Sequence, residues 1–272
     1  MTHLLRVIGR KALPFGARVI WHQAMRHLQW RLHPLQWTTT RGKPDDFPFI
    51  IDERSSPLHR VSAGSMTSEG KERNIALGAQ SVDGLVINSN SVFSFCRTVG
   101  PTTRARGFVP GLEMHDQELT RSEGGGLCQL ANLLFALAVH ADAEIVERHR
   151  HSLDLFPDAE RTVPFGFGAT VFYNYVDFQF RNTLDEPLLL HTWIENERLY
   201  GQIRAASAPG WRMRVVETDH RFFRENGAIF RENRLWKQKV SPDGQELDLI
   251  PLFSTKARVM YPAEHLLEQP SP

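Results

Sequence analysis

The sequence predicts an α+β protein in which a mostly antiparallel sheet packs on two main helices and an all-β extension follows. Residues 127–140 carry apolar side chains at the three- and four-residue spacing of a helix. Another helix is predicted over residues 69–82, because Thr67 or Ser68 can cap it and Glu72 is placed for a capping box. Residues 169–182 alternate apolar and polar side chains, and residues 188–194 and 198–204 follow after short turns. Such a meander is typical of an antiparallel sheet.

Residues 1–43 form a basic segment with eight Lys or Arg residues, no acidic residue and three tryptophans. On a helical projection its apolar side chains share one face, and polar or basic side chains lie off that face. The apolar positions are Trp21, Met25, Leu28 and Leu32, and the others are Arg18, His22, Arg26 and Gln29. This pattern suits a helix lying on an anionic membrane surface, and it equally suits an extension packed on the domain.

Residues 45–57 are rich in Pro, Asp and Ser and predict a linker. We therefore expect three parts: a basic segment with its linker (1–57), a core domain (58–205) and a β-rich extension (206–272). No apolar segment has the length of a signal-peptide core or a membrane span, so we expect a cytoplasmic or membrane-peripheral location. The net charge of +1 favours no nucleic-acid partner.

Within the core, Asp83 and Gly84 are expected to end the first helix. Residues 85–95 are predicted to be extended with a turn at 88–90, which puts Cys96 at a strand end. Residues 107–119 predict a loop or hairpin that leads to the glycine run. The only other cysteine is Cys128, and two cysteines do not make a disulfide framework, although a Cys96–Cys128 bridge stays open.

The glycine run Gly124-Gly125-Gly126 leads directly into the second predicted helix, with Cys128 in its first turn. Unpaired N–H groups and the positive end of the helix dipole meet there and favour a thiolate. The glycine N–H groups could also stabilise an oxyanion. The alternatives are a tight turn or an anion cradle without chemistry, because many single cysteines are inert and buried.

His149 and His151 follow in a segment, residues 144–151, that predicts a strand and would put both rings on one face. A cysteine with a downstream histidine is the arrangement of a thiolate–imidazolium pair. Cys128, His149 and His151 would also supply three of the four ligands of a zinc site. We expect neither a metal nor another cofactor, and we keep zinc as an alternative.

Several motifs together resemble the VanW family. They are RNIALGAQSVDGLVINSNSVFSF (73–95), VGPTTRARGF (99–108), GGGLCQLANLLF (124–135), IVERHRHSLDLFPD (145–158) and GATVFYNYVDFQFRN (168–182). The similarity covers about residues 58–205. Some members are regarded as cysteine L,D-transpeptidases that cross-link peptidoglycan, and the resemblance implies that the cysteine of the glycine motif, Cys128, is the nucleophile.

The resemblance implies a peptidoglycan stem peptide or precursor as partner and a link to glycopeptide resistance. Cys128, His149 and His151 are the predicted catalytic residues. Binding is assigned to Gly124, Gly125, Gly126, Gln129, Arg148 and Ser152. The alternative from a different class is an accessory protein that holds an anionic cell-wall precursor at the glycine loop without turnover.

Overall fold

The computed structural model describes residues 15–32, 37–59, 69–115, 118–150, 153–154, 157–158 and 163–267. In these ranges the helices are α1 (Phe15–Leu32), α2 (Glu69–Val82), α3 (Phe95–Val99) and α4 (Cys128–His140). Short 3-10 turns occupy Pro44–Asp46, Arg104–Arg106 and Glu264–Leu266. None of the described helices is long and apolar enough to cross a bilayer.

The strands are β1 (Thr40–Arg41), β2 (Phe49–Pro57), β3 (Leu85–Ile87), β4 (Val92–Ser94), β5 (Pro110–His115), β6 (Glu118–Glu123), β7 (Glu144–Glu147), β8 (Leu153–Asp154), β9 (Gln179–Arg181), β10 (Leu188–Glu195), β11 (Arg198–Ala205), β12 (Arg212–Glu225), β13 (Ala228–Val240) and β14 (Glu246–Val259). They form a five-stranded sheet (β1-β3-β10-β11-β2), a four-stranded sheet (β12-β13-β14-β8), a three-stranded sheet (β4-β9-β7) and the hairpin β5-β6. Every pairing of these strands is antiparallel except β14 with β8. The predicted α+β class is confirmed.

Helix α4 is the centre of the core and fixes the position of Cys128. Leu130, Leu134 and Leu137 are fully buried, as the helical spacing predicts. One hydrophobic cluster surrounds α4 and includes residues from α2, β3, β10, β11 and β13. The helix ends where Asp142 adopts a positive φ of 58°.

The prediction of a linker over residues 45–57 was wrong, because residues 49–57 form β2. This strand pairs with β11 along its whole length, from Phe49 opposite Ala205 to Pro57 opposite Arg198. The apolar residues at the start of β2 favour a strand. Pro57 ends an edge strand, where a missing N–H is tolerated. Segments on both sides of residue 57 therefore belong to one five-stranded sheet.

Three other local predictions differ from the structure. Asn174 has a φ of 52° in a turn closed by the Phe172–Val176 bridge, so the strand predicted over residues 169–182 is reduced to β9. The strand predicted over residues 144–151 ends at Glu147, after a register shift. Cys96 lies in α3, because the Ser94 hydroxyl accepts a hydrogen bond from Arg97 N and caps a helix.

Helix α1 packs with Arg26 and Trp30 inward. Arg26 is buried and pairs with Glu147, whereas Trp21, Leu28 and Leu32 are exposed. The grouping of apolar residues on one face is therefore present, but that face points away from the protein. The remaining part of residues 1–43, namely 1–14 and 33–36, lies outside the described residues.

Candidate functional site

A cavity of about 350 Å³ lies at the start of α4, and both cysteines line it. Its walls come from α3 and the loop after it, from the β5–β6 hairpin, from the glycine run and from residues 171–173. The lining residues are Phe95, Cys96, Val99, Gly100, Thr102, Leu112, Ser122, Glu123, Gly124, Gly126, Leu127, Cys128, Val171, Phe172 and Tyr173. Most of these side chains are apolar, so the cavity suits a ligand with a hydrocarbon part.

Cys128 is the first residue of α4 and is half-buried. Its thiol donates a long hydrogen bond of 3.7 Å to Val171 O. The start of a 13-residue helix places the positive end of the helix dipole beside this thiol. No disulfide involves either of the two cysteines, which both lie in the described ranges.

The glycine run is shaped by packing. A side chain at Gly124 would meet Thr102 at 2.6 Å, and one at Gly126 would meet Lys71 Cγ at 2.5 Å. Gly124 N donates to Val109 O at 3.2 Å, and Gly125 N donates to Ser122 O at 3.0 Å. These two N–H groups are therefore already engaged within the protein, which leaves them poorly suited to an oxyanion.

Asn74 on α2 holds the glycine run from behind. Its side-chain amide donates to Gly125 O at 3.0 Å and to Val109 O at 2.9 Å, and its carbonyl oxygen accepts from Val109 N at 3.0 Å. Asn74 is fully buried, so these bonds are shielded from water. Helix α2 thus fixes the loop that leads into Cys128.

Gln129 faces β2. Its side-chain amide donates to Ser56 Oγ and to Pro57 O, both at 2.8 Å. The Gln129 amide therefore ties the first turn of α4 to the end of the edge strand. This contact fixes the helix start in the structure, and Gln129 does not line the cavity.

His149 is held by a carboxylate. Its Nε2 lies 3.0 Å from Glu147 Oε1, and its carbonyl oxygen accepts from Thr170 N at 2.8 Å. Glu147 also forms a two-pronged pair with Arg26, one branch of which is 2.6 Å. Burial opposes ionisation of Glu147, but hydrogen bonds from Arg26 and His149 outweigh it and lower its pKa to about 2.

Arg148 lies away from the cavity, in the core between α4 and the C-terminal sheet. Its guanidinium donates to Gly168 O at 2.7 Å and to Gly166 O, and it stacks 3.7 Å above the ring of Phe253. Burial, and secondly the neighbouring Arg150, lower the pKa of Arg148 to about 10. These contacts describe a side chain that joins two parts of the fold.

His151 and Ser152 lie outside the described residues, so the structure carries no information on their roles. Among the described residues, no three His, Cys, Asp or Glu side chains are grouped as a metal site. The zinc alternative stays a prediction, because one of its three ligands, His151, lies outside the described residues.

The charged network behind Cys96 was not among the residues predicted from the sequence. Asp177 is fully buried and accepts four hydrogen bonds. Its donors are Ser94 Oγ (2.6 Å), Cys96 N (2.8 Å), Phe178 N (2.9 Å) and Gln179 Nε2 (2.8 Å). Burial raises the pKa of Asp177, and burial together with Asp177 raises the pKa of the Cys96 thiol well above its ordinary value. The sequence carried one signal for this network, namely the carboxylate of Asp177 between the apolar residues Val176 and Phe178.

These observations define an α+β protein with a half-buried thiol that faces an apolar cavity at the start of its central helix. The family described as VanW like protein matches residues 70–204. Vancomycin B-type resistance protein VanW of Enterococcus faecalis (strain ATCC 700802 / V583) is 27% identical over 218 residues, which is 79% of each chain. Uncharacterized protein YoaR of Bacillus subtilis (strain 168) is 33% identical over 133 residues, 48% of this chain and 41% of that protein.

This chain belongs to the VanW family. The membership links it to a relative whose name records vancomycin B-type resistance. No solved structure matches the chain.

Proposed function

We propose that this protein is a cysteine acyltransferase of the L,D-transpeptidase type that acts on peptidoglycan stem peptides, with Cys128 as its nucleophile. The observation that carries the proposal is the position of Cys128, half-buried at the start of α4 and lining an apolar cavity. A helix start favours the thiolate, which is the reactive form. The resistance protein among the relatives supports a substrate from cell-wall metabolism.

The proposed reaction has two steps. The Cys128 thiolate attacks an amide carbonyl carbon, a carbon–sulfur bond forms, the carbon–nitrogen bond breaks, and the amine leaves with a proton from an imidazolium. An acceptor amine then attacks the thioester carbon, gives up a proton to the imidazole, and the carbon–sulfur bond breaks to restore the thiolate. Water in place of the amine gives hydrolysis.

His149 and His151 are the proposed proton carriers. Glu147 binds His149 through Nε2, which leaves Nδ1 as the nitrogen for proton transfer. A carboxylate that orients an imidazole is a common partner in nucleophilic catalysis. The apolar walls of the cavity would hold the hydrocarbon part of the acyl donor and exclude water from the thioester.

An anion cradle made by the glycine run is the non-catalytic alternative. An anion cradle needs N–H groups that point at the ligand. The N–H groups of Gly124 and Gly125 are donated to Val109 and Ser122 instead. Neither an anion cradle nor an oxyanion hole is therefore built from these two groups, and support for acyl transfer comes from Cys128 and its cavity.

Mass spectrometry after incubation with purified muropeptides tests the proposal. We expect a mass increase equal to the acyl group on the Cys128 peptide, absent in Cys128→Ser and retained in Cys96→Ser. Cys96→Ser is the matched control because both thiols line the same cavity. An adduct that persists in Cys128→Ser, or no adduct with any muropeptide, would contradict the assignment.

A further inference from the structure

Helix α1 exposes an apolar face to solvent. Ile20 is 69% exposed and Leu32 63%, and between them Leu28 and Trp21 are 46% and 37% exposed. We call these four residues the outer face of α1. Because they lie on one side of the helix between residues 20 and 32, they form a stripe about 18 Å long. Contiguous exposed apolar surface of this kind marks an interaction site.

The opposite face of α1 is anchored by polar contacts. Arg26 pairs with Glu147, and Gln23 donates to Tyr173 O at 3.2 Å. Asn174 and His27 form a further contact of 3.1 Å between Nδ2 and Nε2. These bonds fix the helix rotation, so the outer face cannot turn inward without leaving a buried carboxylate without its cation.

The charge of residues 1–43 indicates which kind of surface the outer face of α1 would bind. Residues 1–43 contain eight Lys or Arg residues and no acidic residue, and α1 itself contains no acidic residue. Arg31, in the last turn of α1, is exposed beside the outer face. An apolar stripe with Arg31 at its border, on a helix that contains no acidic residue, complements a lipid surface that carries negative headgroups.

We propose that the outer face of α1 docks on an anionic lipid membrane, with the helix lying in the interface plane. The four apolar side chains enter the boundary between headgroups and acyl chains, and Arg31 contacts lipid phosphates. Gln23 binds the backbone of Tyr173, which lines the cavity, so docking brings the cavity within about one helix diameter, ~10 Å, of the lipid surface. This inference does not depend on the proposed acyl transfer.

Co-sedimentation of the full chain with vesicles tests the docking surface. We expect binding to vesicles of equal parts phosphatidylglycerol and phosphatidylcholine, weaker binding as salt rises, and little binding to pure phosphatidylcholine. Ile20→Ser with Leu28→Ser should weaken binding by about tenfold or more, because burial of apolar side chains provides the favourable free energy of insertion into the lipid. Arg31→Gln should weaken it by about fivefold.

Leu247→Ser with Leu249→Ser is the matched control, since both residues are similarly exposed, at 53% and 44%, on β14. This variant should bind like the unmodified chain. Lack of binding to the anionic vesicles at low salt would overturn the proposal, as would equal binding by the Ile20/Leu28 variant. The outer face of α1 would instead bind a second copy of the chain if two results were found together. The chain would self-associate without lipid, in a way that the Ile20/Leu28 variant abolishes, and it would not bind vesicles.

Discussion

The two walls of the cavity carry one cysteine each and are held together in different ways. The wall with Cys96 rests on buried charged groups, because Asp177 accepts its backbone N–H at 2.8 Å and Arg26 and Glu147 pair nearby. The wall with Cys128 rests on backbone packing, in which the glycine run lies against β5 and α2. The stability of the Cys96 wall should therefore depend on buried charge, and the stability of the Cys128 wall on side-chain volume.

The same contrast separates the two thiols. Cys96 is 2% exposed beside a buried carboxylate, and both conditions disfavour its thiolate. Cys128 is half-buried at a helix start, where the dipole favours a negative charge. Two cysteines in one cavity can thus differ in reactivity. The difference comes from the groups beside each thiol as well as from its exposure to solvent.

The largest expected effect is on the charged wall. Asp177→Ala leaves four buried donors without an acceptor, and we expect the free energy of unfolding to fall by about 4 kcal/mol. Asp177→Asn is the control, because it keeps one acceptor oxygen and should cost only about 1–2 kcal/mol. Urea denaturation measures both. Equal, small losses would mean that buried charge does not hold this wall.

The glycine wall is tested by volume. A side chain at Gly125 would meet the Gly111 carbonyl group well inside van der Waals contact. Because that group belongs to the backbone, it cannot move aside as a flexible side chain can. We expect Gly125→Ala to lower the free energy of unfolding by about 3 kcal/mol. Gly210→Ala, where nothing lies within 4 Å, should change it by less than about 0.5 kcal/mol. Similar values for the two variants would rule out tight packing at Gly125.

Acid should weaken only the charged wall. The pKa of Glu147 is lowered from 4.5 to about 2 in the folded protein. Its contribution is therefore present above pH ~4.5 and is lost as the pH falls towards 2, by up to about 3 kcal/mol in all. From about pH 6 to about pH 3.5, the unmodified chain should lose about 1 kcal/mol more than Glu147→Gln. Parallel losses in urea denaturation would contradict the lowered pKa.

The last expected effect is on reaction rate and not on stability, and it separates the two thiols. With limiting iodoacetamide at neutral pH, Cys128 should be alkylated at least about tenfold faster than Cys96, a difference of about 1.4 kcal/mol in activation free energy. Peptide mapping by mass spectrometry reads the ratio. Labelling of Cys96 first would reverse the contrast between the two walls and count against Cys128 as nucleophile.

Part of the cavity could be predicted from the sequence. The helix over residues 69–82 has the predicted bounds, and α4 begins one residue after the predicted start. The strands β10 and β11 follow the predicted meander. Cys128 and Gly126, named from the motif, lie in the cavity wall. Their catalytic and binding roles remain predictions, as do those of His149 and His151.

The sequence by itself determined the elements whose pattern repeats within one segment, because apolar spacing and turn residues act between near neighbours. The tertiary structure alone decided which residues meet. Arg26 and Glu147 are 121 residues apart, and Asp177 and Cys96 are 81 apart. No local pattern specifies such pairs, because a buried charge is stable only where the fold delivers its partner. The same pairing turned the apolar face of α1 outward.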